Sequence, residues 1–372
     1  MGISIRPHSA EYAGAVLRFN QRLNAGGAED WMQAEPQPEA RWLPKKEGES
    51  LYNETFLAVE NDEVRGSYVL KHQNFSFGGN QIHSIGYYHH PVSEGTIDKT
   101  YAPVGALMIR DAIRRQPMLY ALGMDGPGKP LPQMLKLLGW KIWLVPFYFL
   151  VLRPFRFLRQ MEIIRENARN RLLADLAAFS GFGYLGINAA HALRRMRGAA
   201  ATYSVKCVPV FENWTNDVWH SGKIQYSMVA VRDSSVLKKL YPASEHHFTR
   251  LQVFRNDRVV GWAVIAQRGP KPRFGNLRVG SVVDCFAAPE DASLIAHAAA
   301  DALKERGFDM LVTNQSNTAW GKAFKHCGFF EGPSNFLFAA SPQLSRLLDP
   351  FDRTKVQTHF TRGDGDGLPR SF

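Results

Sequence analysis

Phe56-Leu-Ala-Val-Glu-Asn-Asp-Glu-Val-Arg-Gly-Ser-Tyr-Val-Leu70 and Leu251-Gln-Val-Phe-Arg-Asn-Asp-Arg-Val-Val-Gly-Trp-Ala-Val-Ile265 are two versions of one local pattern. Each reads as a strand, a tight Asn-Asp turn at 61–62 or 256–257, and a second strand interrupted by a glycine, Gly66 or Gly261. Asn-Asp tolerates the backbone conformations a hairpin turn needs, and a glycine inside a strand commonly marks a bulge.

The same kinds of element follow each hairpin in the same order. In the first half the pattern predicts a strand over 81–89, a helix from about Pro103 to Arg115 and a strand over 118–124. A short helix over 131–138 then stops at Gly139-Trp140, before an apolar strand over 142–152. In the second half it predicts a strand over 281–287, a helix over 289–306, a strand over 310–314, a short helix over 318–326 and a strand over 335–339. Leu135-Lys-Leu-Leu-Gly-Trp140 and Phe324-Lys-His-Cys-Gly-Phe329 superimpose, with glycine as helix stop and an aromatic after it. The hairpin glycines and the helix-stop glycines share nearly one offset, about half the chain, so an internal duplication is predicted. The expected division is 1–152, an insert at 153–201, and 202–372.

Bulk properties agree with two α/β units. A chain of 372 residues exceeds one ordinary domain of roughly 100–200 residues. Its hydrophobic content of 45% and charged content of 21% are those of a folded protein. The net charge of +11 favours acidic partners: nucleic acid, anionic lipid or a phosphorylated cofactor. The excess is partly local, because 153–197 carries nine arginines against three acids. There Phe155, Leu158, Met161, Ile164 and Ala168 recur at helical spacing with arginines opposite, and Gly181-Phe-Gly-Tyr-Leu-Gly186 breaks the run before a second helix. This insert reads either as a helical hairpin packed on a domain or as a basic amphipathic helix making peripheral contact with anionic membrane.

Cys207, Cys285 and Cys327 have no metal-ligand spacing and their odd number argues against a disulfide framework, so an intracellular setting and no metal are expected. The first ten residues lack the apolar region of a signal peptide, and the most apolar stretch, 140–152, is too short to span a bilayer and is broken by Pro146. A cytoplasmic location follows as an expectation, with the inner-membrane surface as its variant. Arg362-Gly-Asp-Gly-Asp-Gly367, after an expected strand over 355–361, reads as a loop or frayed end.

The order hairpin, strand, helix, strand, helix, Gly-aromatic, strand resembles the GCN5-related N-acetyltransferase (GNAT) superfamily. Its duplication resembles tandem GNAT proteins and the FemAB-type aminoacyl-transferases, and the arginine-rich insert looks like acyltransferases found with bacterial exopolysaccharide synthesis. The fold implied is α/β (α+β): two tandem GNAT-like domains, each a mixed central sheet flanked by helices. The resemblance covers nearly the whole chain except the insert and the termini. Asn317-Thr-Ala-Trp-Gly-Lys-Ala-Phe324-Lys-His-Cys-Gly328-Phe329 carries it best. That segment in the family packs the pantetheine arm of the cofactor and often supplies a tyrosine as general acid, where this chain has Phe324 and Leu135. The family's pyrophosphate loop, Gln/Arg-x-x-Gly-x-Gly/Ala, aligns with Lys99-Thr-Tyr-Ala102-Pro-Val104-Gly105, which keeps a cation and small residues but not both glycines. Its counterpart at 286–292 has neither cation nor glycine.

The resemblance implies an acyltransferase that moves an acyl group from acyl-CoA (acetyl-CoA) to the amine of a small sugar or amino-acid derivative. Lys99, Ala102, Val104 and Gly105 are the expected cofactor contacts. Acyl transfer to an amine needs a base, and His89 and His90, beside Tyr87 at the end of a central strand, are candidates that titrate near neutrality. The alternative is an aromatic strand end with solvent-facing imidazoles. Asp284, an acid in an apolar strand, either faces a cleft or makes a structural hydrogen bond. Tyr87, Asn314 and Asn317 are candidate substrate contacts, with helix capping the alternative for Asn317. No helix-turn-helix or RNA-recognition motif is present, so tRNA enters only under the FemAB alternative. A non-catalytic, membrane-associated scaffold is the other alternative, given the missing tyrosine and glycines.

Overall fold

The computed structural model describes residues 2–29, 32–38, 42–165, 167–195, 202–269 and 274–365. Its elements run β1 (Ser4–Pro7), α1 (Ala13–Ala25), β2 (Tyr52–Glu60), β3 (Glu63–Phe77), β4 (Gln81–Ser93), α2 (Pro103–Arg115), β5 (Leu119–Gly123), α3 (Pro130–Leu137) and β6 (Lys141–Leu144). They continue with β7 (Phe147–Val151), α4 (Pro154–Gln160), α5 (Ala168–Phe179), α6 (Phe182–Arg195), β8 (Ser204–Val208), α7 (Trp214–Gly222), β9 (Met228–Ala230) and α8 (Ser234–Leu240). The last are β10 (Phe248–Arg255), β11 (Arg258–Gln267), β12 (Val279–Ala287), α9 (Ala292–Glu305), β13 (Met310–Asn314), α10 (Thr318–His326), β14 (Phe330–Gly332), β15 (Leu337–Ala340), α11 (Pro342–Leu347) and β16 (Thr358–His359).

The chain divides into two compact units. The first comprises Met1–Phe75, Ile82–Trp143 and Leu337–Asp352; the second comprises Ser76–Gln81, Leu144–Phe336 and Arg353–Phe372. Each is a mixed sheet flanked by helices. In the first unit the strand order is β1-β2-β3-β4-β5-β15-β6, and in the second it is β14-β7-β13-β12-β11-β10-β8. In both, antiparallel strands give way to one parallel pair, β4 with β5 and β12 with β13. Parallel neighbours require a crossover, supplied by α2 and α9.

The expected hairpins are present in detail. Asn61 and Asp62 have φ of 48° and 61°, and Asn256 and Asp257 have 45° and 62°. Two consecutive left-handed residues form the turn whose twist matches the flanking strands. Both hairpins slip register next to the glycine, between Ala58 and Val59 in one and between Val253 and Phe254 in the other. The glycines also admit the crossover helix. A Cβ on Gly66 would sit 2.9 Å from Met108 Sδ and Val104 Cγ1, and one on Gly261 would sit 2.6 Å from both Ile295 Cδ1 and the Phe286 carbonyl.

The sequence misplaces the closing strands. The apolar run at 142–152, read as one strand of the first half, is two elements in two sheets. Pro146 lacks an N–H and cannot continue a ladder, so β6 ends before it and β7 starts after it. β7 pairs antiparallel with β13 (Met310↔Val151 to Asn314↔Phe147). Reciprocally, β15 from the second half pairs antiparallel with β5 (Leu337↔Gly123 to Ala340↔Tyr120). The boundary at 152 is therefore not the one the contacts draw.

Two further readings change. The expected strand over 355–361 is ordered as strand only at β16, which pairs in parallel with β9. Arg362–Asp364, read as a frayed end, forms a buried 3-10 turn closed by a capping box between Thr361 and Asp364; residues 366 and 367 lie outside the described residues. In the insert, only Gly181 (φ +76°) interrupts the helices, whereas Gly183 and Gly186 lie inside α6.

Gly261→Ala is expected to destabilise the second unit by about 1–3 kcal/mol, the cost of overpacking. The Phe286 carbonyl that the new methyl meets is backbone and cannot rotate away. Urea unfolding followed by tryptophan fluorescence checks this; an unchanged midpoint would show that the strand yields freely.

Candidate functional site

In each unit the parallel pair parts after a few residues. In the first, β4 and β5 are in register at Gly86↔Leu119 and Tyr87↔Tyr120, although β4 continues to Ser93 and β5 to Gly123. In the second, β12 and β13 are in register from Val279↔Met310 to Ser281↔Val312, although β12 continues to Ala287. Backbone groups facing the fork lose their ladder partners there and must find others.

In the second unit the chain's own segment 358–364 meets them. His359 Nε2 donates to the Cys285 carbonyl at 2.7 Å, and Thr361 Oγ1 donates to Asp284 Oδ1 at 2.9 Å, both on β12. On the β13 side, Arg362 Nη1 donates to Asn314 Oδ1 at 2.8 Å and Phe360 N donates to Ser316 Oγ at 2.7 Å. Gly363 passes so close that a Cβ there would lie 2.9 Å from Asp284 Oδ2. The second fork is occupied by protein.

At its centre is a buried charge cluster. Asp284 Oδ2 accepts from Arg232 Nε at 2.9 Å and from the Tyr241 hydroxyl at 2.8 Å, and Arg232 also pairs with Asp364. Asp284 Oδ1 accepts from the Cys285 amide at 2.9 Å as well as from Thr361. Burial pulls the Arg232 guanidinium down, but Asp284 and Asp364 outweigh it and hold its pKa above the usual arginine range. Burial, reinforced by Asp284, raises the Tyr241 and Cys285 pKa values well above their ordinary ones. Both Asp284 oxygens are thus engaged by four donors. The structural hydrogen-bonding alternative describes this acid, and no oxygen is left over for a proton transfer.

The asparagines are similarly tied. Asn314 accepts from Arg362, and Asn317 caps α10, accepting from the amides of Ala319 (2.9 Å) and Trp320 (3.4 Å). The capping alternative for Asn317 is therefore what the structure shows. Phe324 and Leu135 are fully buried in their cores.

The first unit is arranged differently. At the fork, Tyr87 and His89 lie on one face of β4 with rings stacked at 4.7 Å, and Tyr87 also stacks on Tyr120 at 4.9 Å. The Tyr87 hydroxyl donates across the parted strands to the Leu122 carbonyl at 3.0 Å. Lys71, fully buried on β3, places its ammonium 5.6 Å from the Tyr87 ring centre. His89 Nε2 is enclosed and makes no hydrogen bond among the described residues. Burial first, then the charges of His90 and Lys71, hold its pKa well below the usual imidazole range. At neutral pH it is an uncharged imidazole with a ring nitrogen unengaged. His90 differs: its φ of +50° bends β4, it is exposed, and its Nε2 meets the Gln33 carbonyl at 2.8 Å.

Lys99, Ala102, Val104 and Gly105 follow at the start of α2. Lys99 and Ala102 are exposed, Gly105 is half-buried against Met134, and Val104 is in the core beneath. The loop that presents them is rigid. Glu94 is buried and bound by Arg22 (2.7 Å) and Arg65 (3.0 Å), Arg65 lies over the Tyr101 ring, and a Cβ on Gly95 would sit 2.7 Å from the Tyr101 carbonyl.

The fold gathers Tyr87, His89, His90 and the 99–105 turn in one unit, and Asp284, Asn314 and Asn317 in the other. Sequence reasoning missed Lys71, Arg232 and Asp364. Lys71 leaves a trace, a lone cation in the apolar run Tyr68-Val-Leu-Lys71; Arg232 and Asp364 lie in polar stretches and leave none.

Replacing Asp284 by Ala removes one of the two acids that hold the buried Arg232 and leaves Tyr241 and Thr361 without their acceptor, and is expected to cost about 3–5 kcal/mol of stability. A urea midpoint near the wild-type value would show that the cluster bears no such weight. A second test uses pH. His359, like His89, is held by burial below the usual imidazole range. An unfolded chain binds protons below about pH 6.5 that these two histidines refuse when folded, so stability falls with acidification. His359→Gln is expected to flatten the dependence of urea midpoint on pH between about pH 7 and about pH 5; an unaltered slope would place the acid sensitivity elsewhere.

Comparison with solved structures gives the fold a name. A probable N-acyltransferase from Enterococcus faecalis superposes with a TM-score of 0.51 at 10% identity, covering 94% of this chain and 75% of that one. A GCN5-related N-acetyltransferase from Anabaena variabilis gives 0.50 at 9%, covering 91% and 72%. An N-myristoyltransferase from Saccharomyces cerevisiae, solved with bound myristoyl-CoA and inhibitors, gives 0.50 at 8%, covering 91% and 79%. No family model matches the sequence, and no curated protein matches it. Two mixed sheets flanked by helices in the GNAT manner are the architecture of this chain.

Proposed function

We propose that the protein is an acyltransferase that uses acyl-CoA and binds it in the fork of the first unit. The observation that carries the choice of unit is the occupation of the second fork by residues 358–364. The neutral, unengaged Nε2 of His89 beside the first fork supports the chemistry. The acceptor is an amine, and the amine of a sugar or amino-acid derivative in cell-surface polysaccharide synthesis is the specific class we favour.

In the proposed reaction the amine nitrogen attacks the thioester carbonyl, the carbon–sulfur bond breaks, and the thiol of CoA leaves. His89 takes the proton the amine loses and returns it toward the thiolate, a role for which an uncharged imidazole is already in its working state. Backbone N–H groups of β4 freed at the fork would polarise the carbonyl. Lys99 and the amides opening α2 would receive phosphate groups of the cofactor. The lowered pKa of His89 has a cost, because a weaker base is a less effective proton acceptor, and it is offset by full availability of the base at neutral pH.

Isothermal titration with acetyl-CoA and with a longer acyl-CoA tests the binding step. Micromolar binding of one thioester, weakened about tenfold by Lys99→Ala as expected for loss of one phosphate contact, is the expected result. His89→Gln is expected to retain that binding and to lower thiol release in the presence of an amine acceptor by about 100-fold or more. Absence of binding to either thioester would sink the assignment.

A further inference from the structure

The arginine-rich insert does not present the face its sequence suggests. Its stripe of Phe155, Leu158, Met161 and Ile164 is split by the end of α4 at Gln160, and the apolar surface lies on the next two helices. On α5, Leu172, Leu173, Leu176 and Phe179 are exposed, while the residues facing inward are the small Ala174 and Ala178. On α6, Phe182, Leu185 and Leu193 are exposed at helical spacing, with Ala189 between them. The turn that joins the helices is Ser180-Gly181, and the phenylalanines on either side of it, Phe179 and Phe182, are 69% and 76% exposed.

This is a built feature. Gly183 lets α6 close on its neighbours, since a Cβ there would lie 2.5 Å from Leu158 and 2.8 Å from the Ala177 carbonyl. His191 anchors α6 by a 2.8 Å bond to the Gly328 carbonyl, and Asp175 of α5 is held by Arg159 and Arg165. The hairpin is fixed on its inner side while large apolar side chains are exposed on both helices and on either side of the turn. Such a surface marks an interaction site.

We infer that the α5–α6 hairpin is a monotopic membrane anchor that dips its tip into the interfacial region of an anionic bilayer. Charge selects this occupant over another apolar surface. The segment 153–197 carries nine arginines and three acids, and Arg169 and Arg171 are exposed in the first turn of α5, at the opposite end of that helix from the tip. An apolar tip with cations behind it is the arrangement that enters acyl chains while pairing with headgroup phosphates. Neither helix spans alone, and although α5 and α6 together have the length and composition of a broken span, their bend turns the pair back as a re-entrant hairpin. α5 has 12 residues, a rise of roughly 18 Å against a hydrocarbon core of roughly 30 Å, and α6 leaves it at a bend of 78°. No single helix among the described residues is long and apolar enough to cross a membrane.

The test uses the full chain with vesicles of equal phosphatidylcholine and phosphatidylglycerol, and with vesicles of phosphatidylcholine alone. The wild type is expected to co-sediment with the first and weakly with the second. Phe179→Ser/Phe182→Ser/Leu185→Ser is expected to reduce partitioning at least about tenfold, because burial of these side chains among acyl chains is what drives insertion. Its unfolding midpoint should change little, because all three side chains are largely exposed, Phe179 alone having ring partners in Phe155 and Arg159. Arg169→Gln/Arg171→Gln should lower binding to the anionic vesicles only. Phe179→Trp supplies a direct probe, whose emission should shift to the blue on vesicle addition. A wild type that stays in the supernatant, or a triple variant that sediments like wild type, overturns the inference. So does a self-associated wild type that ignores vesicles and becomes monomeric in the triple variant, because a second copy would then be what covers this surface.

Discussion

A β-strand left with an open edge exposes a row of unsatisfied N–H and C=O groups, and this protein closes two such edges by exchange. β5 and β13 each end the crossover segment of their half, and each needs a partner on its outer side. The partner of β13 is β7, from residues 147–151, and the partner of β5 is β15, from residues 337–340. Neither unit can complete its ladder from its own half of the sequence. The duplication visible in the sequence is therefore not a duplication of independent folding units, and the second sheet requires chain that precedes the insert. Contacts so distant in sequence are costly in loop-closure entropy.

The two units spend the same architecture in opposite ways. Parting of a parallel pair leaves backbone groups to be satisfied, and the second unit does this with its own residues 358–364, held by a buried arginine between two buried acids. Such a cluster contributes little net stability over an apolar core but is severely disrupted when one partner is lost. It converts the fork into a structural joint. The first unit keeps its parted strands beside a stacked pair, Tyr87 and His89, and a buried ammonium at Lys71. The histidine in that setting is neutral because burial withholds water from a charged ring, and the charges of His90 and Lys71 oppose protonation further. Burial and like charge act in the same direction here, which is why the imidazole is so decisively uncharged.

Local chemistry made much of this legible in the sequence. The Asn-Asp turns, the bulge glycines and the helices at Pro103–Arg115 and Thr318–His326 were readable because each is determined by residues within a few positions of it. The exchange of β7 and β15 was not, because an apolar strand carries no mark of which sheet it joins; Pro146 showed where the run breaks but not that the break is also a change of unit. Arg362-Gly-Asp364 failed for a related reason. Its composition is that of a loop, and its order derives from Arg232, Asn314 and Thr361, of which two lie far away in the chain. Asp284 reads in the sequence as an acid in an apolar strand, and only the fold decides between cleft and partner, because three of its four donors, Arg232, Tyr241 and Thr361, come from elsewhere in the chain.

The insert shows the same limit from the other side. Counting arginines located a feature that merits explanation, yet the charge was assigned to a helical face opposite an apolar stripe that the fold then divides. Several of those arginines, Arg153, Arg156, Arg159 and Arg165, are consumed in pairing with Asp309 and Asp175. Beyond the exposed Arg169 and Arg171, what α5 turns outward is largely apolar, because small residues lie on its inner side and large ones on the outer. A soluble helix does the reverse, burying large side chains to gain the most area removed from water. Inversion of that rule along α5, continued by the exposed Phe182, Leu185 and Leu193 of α6, in a segment fixed by a glycine contact and a buried histidine, is hard to reconcile with water as the final environment of this surface.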